Sequence, residues 1–444
     1  MKLSRILLPL LLLACALFSF AACEGFPADF GTTAATTTAG ATTAPDPCEL
    51  IYIKNEAGDG YLVDGYITVG RILVIPDTYE GMPVVGITAG AFGGCTTLEA
   101  VTIPNSAVAI AAEAFLGCTS LERITLPLGE GLLGGAAHAK FAHLFGASVP
   151  SSLKTVTVSE GHIGDDFFFH SRDITKIILK DGVTGIGEAA FYECYSLQAV
   201  EIGRGVTRIG DALFGDCRAL QSITVASGNP RYHSEGNCLI ETAEKTLIAG
   251  CMSSIIPKDG SVTKIGDFAF QRTAGLCEID LPEGITSIGS MAFGDNTALT
   301  AVQIPDSVTV IGGRAFGGCC ALTTVTLGSG VTEIGAYAFS DCRALAALTL
   351  PEGLERIGAH AFSNCKSLTA IRIPDSVIRM DNHLFDGCTA LTAIIFPTPA
   401  TWRGTPTAEA ADNRHYGTGI VFDDPARNAE YLIRGFHTMY WYKE

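Results

Sequence analysis

The sequence predicts a right-handed, curved solenoid of the α/β type, with a parallel β-sheet on its concave side and one β-hairpin insertion. Two observations support this fold: a Phe recurs along most of the chain, and apolar residues keep fixed distances from it. The step is 23 residues in nine of eleven intervals, and the other two are 30 and 56 residues long. A period of this kind is typical of stacked repeats. The recurring residues are Phe92, Phe115, Phe145, Phe168, Phe191, Phe214, Phe270, Phe293, Phe316, Phe339, Phe362 and Phe385.

Each repeat contains the pieces of one coil and reads AF-x-x-C-x-x-L-x-x-I-x-I-P-x-x-V-x-x-I-G. The A-F step predicts a short helical or irregular bend whose Phe fills the interior. The I-x-I part alternates with period two, which indicates a short strand with one buried face. The Pro ends that strand because it has no N–H for the ladder, and V-x-x-I-G supplies two more inward side chains before a corner. One unit cannot bury its apolar face alone, so about a dozen must stack.

Composition and charge exclude one class of partner. The 444 residues carry a formal net charge of -17, and only 17% of them are charged. Lys and Arg are scattered singly, whereas phosphate binding needs them clustered, so no nucleic-acid partner is expected. The acidity is better interpreted as a means of keeping a mostly uncharged surface soluble.

The N-terminus indicates export. Lys2 and Arg5 precede an apolar run that is too short for a membrane span, and Ala21-Ala22-Cys23 follows it. Small residues before such a Cys resemble a bacterial lipobox, so residues 1–22 are interpreted as a lipoprotein signal peptide and Cys23 as the lipidated residue. Ordinary cleavage with free secretion is the alternative. Residues 23–47 are rich in Thr and Ala and are expected to form a flexible tether. The only expected membrane contact is the lipid.

The repeat resembles the BspA-like subfamily of bacterial surface leucine-rich-repeat proteins, over about residues 48–444. Tyr61–Ile87 resembles the N-terminal unit of that family, and Asn229–Ile265 resembles the β-hairpin that often interrupts such arrays. The expected fold is therefore a leucine-rich-repeat solenoid. The expected divisions are an N-terminal unit (48–90), the solenoid (91–396) with its hairpin at about 226–256, and a C-terminal cap (397–444).

Most of the cysteines occupy one slot of the repeat, three residues after the Phe. Ser148, Ser171, Thr273 and Asn296 fill the same slot elsewhere, which favours buried thiols that fill a tight inner turn over disulfides. The chain contains no C-x-x-C pair, so no zinc site is expected. Cys238 and Cys251 flank the predicted hairpin, and a disulfide between them stays open. The slot residues are Cys95, Cys118, Cys194, Cys217, Cys319, Cys342, Cys365 and Cys388.

The sequence offers no catalytic chemistry. His138, His143, His162 and His170 crowd one irregular stretch, but neither H-E-x-x-H nor G-x-S-x-G occurs. Gly-x-Gly recurs because the turn of the repeat recurs, and no G-K-[ST] follows it. The protein is therefore expected not to be an enzyme, and no cofactor or metal is expected. A site hidden in residues 128–170 or in the C-terminal segment is the remote alternative.

A binding face is expected on the strands, eight and ten residues after each Phe, where side chains point outward. Solenoids usually bind through such extended surfaces. The resemblance implies adhesion to proteins or glycoproteins, such as host matrix proteins, host receptors or other bacteria. The alternatives are that Thr and Ala only suit exposed strands, and that the protein is structural, without a ligand. The candidates are Thr102, Arg123, Thr125, Thr224, Gln303, Thr324, Thr326, Thr349 and Arg372.

Overall fold

The computed structural model describes residues 48–129, 140–146, 148–406, 418–435 and 437–443. The predicted signal peptide, the tether and Cys23 lie outside the described residues. The described residues stack short parallel strands, coil upon coil, which confirms the predicted solenoid. The A-F step was predicted to be a short helical or irregular bend. In the regular coils it is a turn, so the irregular form is the one that the structure adopts.

The coils before the insertion contain the longest strands of the described chain, and a 3-10 helix at Phe141–Phe145 lies between two of them. The strands are β1 (Glu49–Lys54), β2 (Tyr61–Thr68), β3 (Ile72–Val74), β4 (Thr78–Tyr79), β5 (Met82–Ile87), β6 (Ala100–Thr102), β7 (Ala109–Ile110), β8 (Arg123–Leu128), β9 (Thr155–Ile163), β10 (Lys176–Ile186), β11 (Ala199–Ile202), β12 (Arg208–Ile209) and β13 (Ser222–Val225).

The I-x-I segments pair as the sequence predicts. Strands β3, β6, β8, β9, β10, β11 and β13 lie side by side in that order, and the pairs are parallel. We call this row of strands, with its equivalents in later coils, the first ladder. Val101 is buried and Thr102 is exposed, which is the alternation that a half-buried strand requires.

The I-G segments form a second ladder that the sequence reading did not anticipate. They were interpreted as corners, but they form parallel pairs that are two residues long. Strand β5 pairs with β7 in this way, and β10 pairs with β12. The sequence signal is weak because two residues cannot show a period. Each coil therefore has two short parallel strands.

The predicted insertion contains a hairpin and a third strand: β14 (Tyr232–Glu235), β15 (Cys238–Glu241) and β16 (Thr246–Ala249). The three strands are antiparallel neighbours, and β16 then pairs in parallel with the next coil. We call β14–β16 the meander. Cys238 and Ile240 pack into the core that follows, whereas Leu239 packs into the core that precedes. The meander therefore separates two apolar cores.

The coils after the meander have strands of two or three residues. The second ladder is unbroken here, from β16 to the last coil, while the first ladder survives only in pairs. The strands are β17 (Lys264–Ile265), β18 (Ser287–Ile288), β19 (Ala301–Gln303), β20 (Val310–Ile311), β21 (Thr324–Thr326), β22 (Glu333–Ile334), β23 (Arg356–Ile357), β24 (Ala370–Arg372), β25 (Arg379–Met380) and β26 (Ala393–Ile395).

The C-terminal segment lies against the last coil. It contains β27 (Thr401–Thr405), β28 (Thr418–Val421), the helix α1 (Pro425–Glu430), a π-helix (Tyr431–Gly435) and β29 (Tyr440–Lys443). Strand β29 pairs antiparallel with β25, at the end of the second ladder. Trp402 and Trp441 are fully buried in the core of the preceding coils. The segment therefore supplies the apolar cover that an exposed last coil needs.

Candidate ligand-binding face

The outward side chains of the first ladder form rows across neighbouring coils. Thr102 lies opposite Thr125, and Thr125 lies opposite Thr157 in the next strand. The row continues through Ile178 and Glu201 to Thr224. Because parallel strands lie about 4.8 Å apart, these side chains form a continuous surface rather than separate points.

The structure places the predicted candidates on this surface. Thr125 is half-buried, and the other eight are exposed. After the meander, Gln303 pairs with Thr326 across β19 and β21, and Thr349 forms an isolated bridge with Arg372. The candidates therefore lie in two groups, one on each side of the meander.

Sequence reasoning missed two residues of the face, Thr155 and Thr157 of β9. They lie between the strands β8 and β10. The strand of this coil is offset by two residues, so the positions eight and ten residues after Phe145 are Leu153 and Thr155 instead of Thr155 and Thr157. The alternation of Thr155 to Val158 was the signal that could have identified them.

The charges of the face are paired locally. Lys176 Nζ lies 2.6 Å from a carboxylate oxygen of Glu201 in the neighbouring strand. A guanidinium nitrogen of Arg372 lies 2.5 Å from a carboxylate oxygen of Glu352, which belongs to the turn of the preceding coil. The side chains of both pairs are solvent-exposed. Such pairs contribute little to stability, but they leave a face with little net field and many hydroxyls.

A groove of about 630 Å³ lies at the end of the first ladder, next to the meander. Ile178 and Thr224 contribute outward side chains to its floor, and Asp181 and Glu201 contribute carboxylates. Apolar and acidic groups therefore lie side by side in it. A partner that inserted a side chain here would meet both kinds of contact.

The slot residues hold the coils together from inside. In each of seven coils the cysteine thiol donates to the carbonyl oxygen of the Phe in the preceding coil, at 3.0–3.3 Å. Asn296 makes the same bond to Phe270. Ser171 is buried too, but its hydroxyl has no hydrogen-bond partner among the described residues. The bonded cysteines are Cys118, Cys194, Cys217, Cys319, Cys342, Cys365 and Cys388.

Burial also sets the ionisation of these thiols. It raises the pKa of Cys118, Cys194 and Cys319 to about 12, because desolvation penalises the thiolate. The thiols are therefore protonated at neutral pH and can donate. Cys95 is buried and lies near the hydroxyl of Thr97.

The two cysteines of the meander are separate thiols in the structure. Cys238 Sγ lies 3.7 Å from the carbonyl oxygen of Ile255, and Cys251 Sγ lies 3.2 Å from the hydroxyl of Ser253. Both are buried.

Of the histidines singled out in the sequence, the structure brings His143 and His170 to the wall of one open groove. His138 lies outside the described residues, as does part of the 128–170 stretch. His143 lies in the 3-10 helix, His162 is exposed, and His170 forms an ion pair with Glu193.

A different group could hold a metal ion, namely His360, His383 and Asp386, whose ligand atoms all lie within 4.8 Å of one another. Its sequence signal is the 23-residue spacing between the two histidines. Motifs of histidines that are close in the chain do not include this group, because its two histidines are a whole coil apart.

The two ladders and the slot define a parallel β-solenoid of the leucine-rich-repeat class. A family model described as the BspA type leucine rich repeat region matches residues 79–160, 161–236, 242–343 and 314–402, in six copies. These ranges include well over half of the 444 residues, so the chain belongs to this family. A comparison with curated proteins gives no match.

Several solved structures are similar to this chain. One is a leucine rich cell surface protein of Faecalibacterium prausnitzii, 27% identical over 81% of this chain and 96% of that one, with a TM-score of 0.47. Another is a leucine-rich repeat protein of Bacteroides ovatus, 25% identical over 80% of this chain and 89% of that one, with a TM-score of 0.49. Among the described residues, no helix has the length and apolar character to cross a membrane.

Proposed function

We propose that the protein is a non-catalytic surface module that binds a protein or glycoprotein through the outward face of the first ladder. Membership of the BspA-type family favours a role in protein interaction at the cell surface. The observation that carries the proposal is the unbroken row from Thr102 to Thr224, which crosses six hydrogen-bonded strands and has half-buried side chains between two exposed ends. The partner would be a host matrix protein, a host receptor or the surface of another bacterium.

The chemistry of the face suits such a partner. Thr and Ala side chains have little rotamer entropy to lose, and their backbone is already ordered by the ladder. Hydroxyl groups donate and accept, so they adapt to backbone or sugar groups. The groove beside the meander adds the apolar floor of Ile178, where a partner's side chain would be desolvated.

Export and lipidation at Cys23 belong to the same proposal. The tether of residues 23–47 would hold the solenoid on the bacterial envelope, and free secretion is the alternative. Cells that express the whole chain are grown with a labelled fatty acid. We expect label on the wild-type chain and none on the Cys23→Ala variant. Equal label on both would contradict lipidation at this residue.

Binding is tested with the whole chain on a panel of immobilised matrix glycoproteins and bacterial cells. The test variant replaces Thr102, Thr125 and Thr157 with Lys, which places three unpaired cations in one row. We expect at least a tenfold loss of affinity, because each Lys clashes with a docked partner and must be desolvated.

The matched control replaces Thr286, Thr309 and Thr332 with Lys. These residues occupy one row of neighbouring coils, precede the strands of the second ladder and are exposed, whereas Thr125 and Thr157 of the test variant are half-buried. The control should bind as the wild type does. Equal losses in both variants would indicate a general charge effect. An absence of binding across the panel, in a chain that surface proteolysis shows to be exposed on cells, would favour the structural alternative.

A further inference from the structure

Two histidines occupy the same position in consecutive coils near the C-terminal end of the solenoid. His360 and His383 each stand two residues before the Phe of their coil. Their imidazole rings are parallel to within 1°, with centroids 4.6 Å apart. Both residues are half-buried, so their ring nitrogens lie at the surface yet are partly shielded from bulk water.

Asp386 belongs to the same group. Its Oδ2 lies 2.6 Å from Nδ1 of His383. A carboxylate only accepts hydrogen bonds, so Nδ1 of His383 carries the proton between the two groups. To hold one tetrahedral ion between them in place of the proton, these two atoms must separate to roughly 3.4 Å.

A third imidazole stands beside the pair. The ring of His437 meets the ring of His383 nearly edge-on, with centroids 5.2 Å apart. Its backbone carbonyl oxygen accepts the hydrogen bond from the N–H of His383. Nδ1 of His437 is buried and has no hydrogen-bond partner among the described residues. Ring stacking explains the parallel histidines, but it explains neither the carboxylate nor this nitrogen.

We propose that His360, His383 and Asp386 bind one divalent transition-metal ion of the zinc class. The ligand atoms lie within 4.8 Å of one another, and tetrahedral zinc with bonds of about 2.0–2.1 Å requires separations of roughly 3.4 Å. Side-chain rotations that move the ligand atoms by about an ångström bring these separations to the required value. The ion takes the place of the proton between Nδ1 of His383 and Asp386, and that proton moves through water to Nε2.

The donor set selects the class of ion. Two imidazoles and one carboxylate suit Zn²⁺, Ni²⁺ or Cu²⁺, whereas Ca²⁺ and Mg²⁺ prefer sites built from oxygen. Three protein ligands leave a fourth position for water. The ion would join two consecutive coils to each other, next to the C-terminal segment that carries His437.

The test titrates ZnCl₂ into the whole chain by calorimetry. The protein carries no oligohistidine tag, and its accessible thiols, including Cys48, Cys277 and Cys320, are first alkylated so that they do not bind zinc. We expect one ion per chain. His360→Asn and His383→Asn should each weaken binding at least tenfold, and Asp386→Asn should weaken it by about tenfold. The control, His162→Asn, changes an exposed histidine in another coil and should leave binding unchanged.

A second measurement locates the ion. Zinc-soaked crystals of the wild-type chain, measured at the zinc absorption edge, should show an anomalous peak between His360, His383 and Asp386. This result does not depend on whether a variant folds. A peak elsewhere would overturn the proposal, as would the absence of a peak or equal zinc affinity of the His360→Asn/His383→Asn double variant. The histidine pair would then be a stacking contact alone.

Discussion

The coils before the meander and the coils after it pair their strands differently, although one repeat builds both. Before the meander, the first ladder is continuous over seven strands and the second ladder appears in fragments. After the meander, the second ladder is continuous and the first survives in pairs. The same repeat can therefore satisfy its backbone hydrogen bonds in two ways, mainly through the first ladder or mainly through the second.

Proline accounts for part of the difference. Five of the six coils after the meander have Pro twelve residues after the Phe, at Pro282, Pro305, Pro351, Pro374 and Pro397, whereas two coils before it do, at Pro104 and Pro127. The coil that begins with Phe168 has Lys180 at that position, and β10 runs through it for eleven residues. This one strand pairs with both β11 and β12 and so belongs to both ladders. Without an N–H, Pro favours an early end to the strand and so separates the ladders, although β8 runs through Pro127.

The stacked Phe rings differ in the same sense. From Phe270 to Phe385 the successive rings are parallel to within 12°, with centroids 5.2–6.1 Å apart. Before the meander, the 30-residue interval adds Phe141, which packs against Phe145 and Phe168 at steep angles. Regular spacing in sequence thus gives regular packing, and the irregular interval needs an extra ring.

The largest effect is expected where the stack is most regular. Phe316 is fully buried and stacks on Phe293 and Phe339 at 5.2 and 5.4 Å. Phe316→Ala should lower the free energy of unfolding by about 3–5 kcal/mol, because it removes a large side chain and leaves a cavity between rigid neighbours. Chemical denaturation of the whole chain, followed by tryptophan fluorescence, measures this loss.

The matched variant is Phe214→Ala, at the last coil before the meander. Phe214 is 8% exposed and stacks on Phe191 at 5.6 Å. Its truncation should cost about 1–2 kcal/mol less, since the site can relax toward solvent. Equal losses in the free energy of unfolding would mean that the regular stacking of the Phe rings adds no stability. The two regions would then not differ in how their Phe residues contribute.

An intermediate effect is expected from the slot, the feature that the two regions share. Cys342→Ala and Cys194→Ala each remove the thiol that donates to a Phe carbonyl, at 3.3 and 3.2 Å. Each variant should lose about 1–1.5 kcal/mol, because the buried carbonyl loses one of its two donors and keeps the backbone N–H of Cys319 or Ser171. Cys320→Ala, at a half-exposed thiol, is the control and should change the free energy by less than about 0.5 kcal/mol. Unequal losses in the two slot variants would show that the regions differ inside the coil as well.

The same features show which parts of the structure can be predicted from the sequence. The 23-residue repeat predicted the buried Phe, the slot and the outward Thr residues, since each is a fixed distance from a repeated residue. It did not predict the second ladder, because strands of two residues have no detectable period. It missed Thr157 because the strand of that coil is offset by two residues from the Phe, and it missed the group of His360, His383 and Asp386 because neighbours in a solenoid are separated by a whole coil in the chain.

The smallest effect tests the ladders themselves. Thr157 has strands on both sides, whereas Thr326 lies in β21, which pairs with β19 alone within the described part of the first ladder. Thr157→Ala should therefore cost about 1 kcal/mol and Thr326→Ala about half of that, since the preference for β-branched residues depends on cross-strand neighbours. Denaturation curves of both variants give the comparison. A larger loss at Thr326 would mean that the continuous ladder is no stronger than the paired one. The binding face would then be held by the Phe stack and the slot rather than by its own strands.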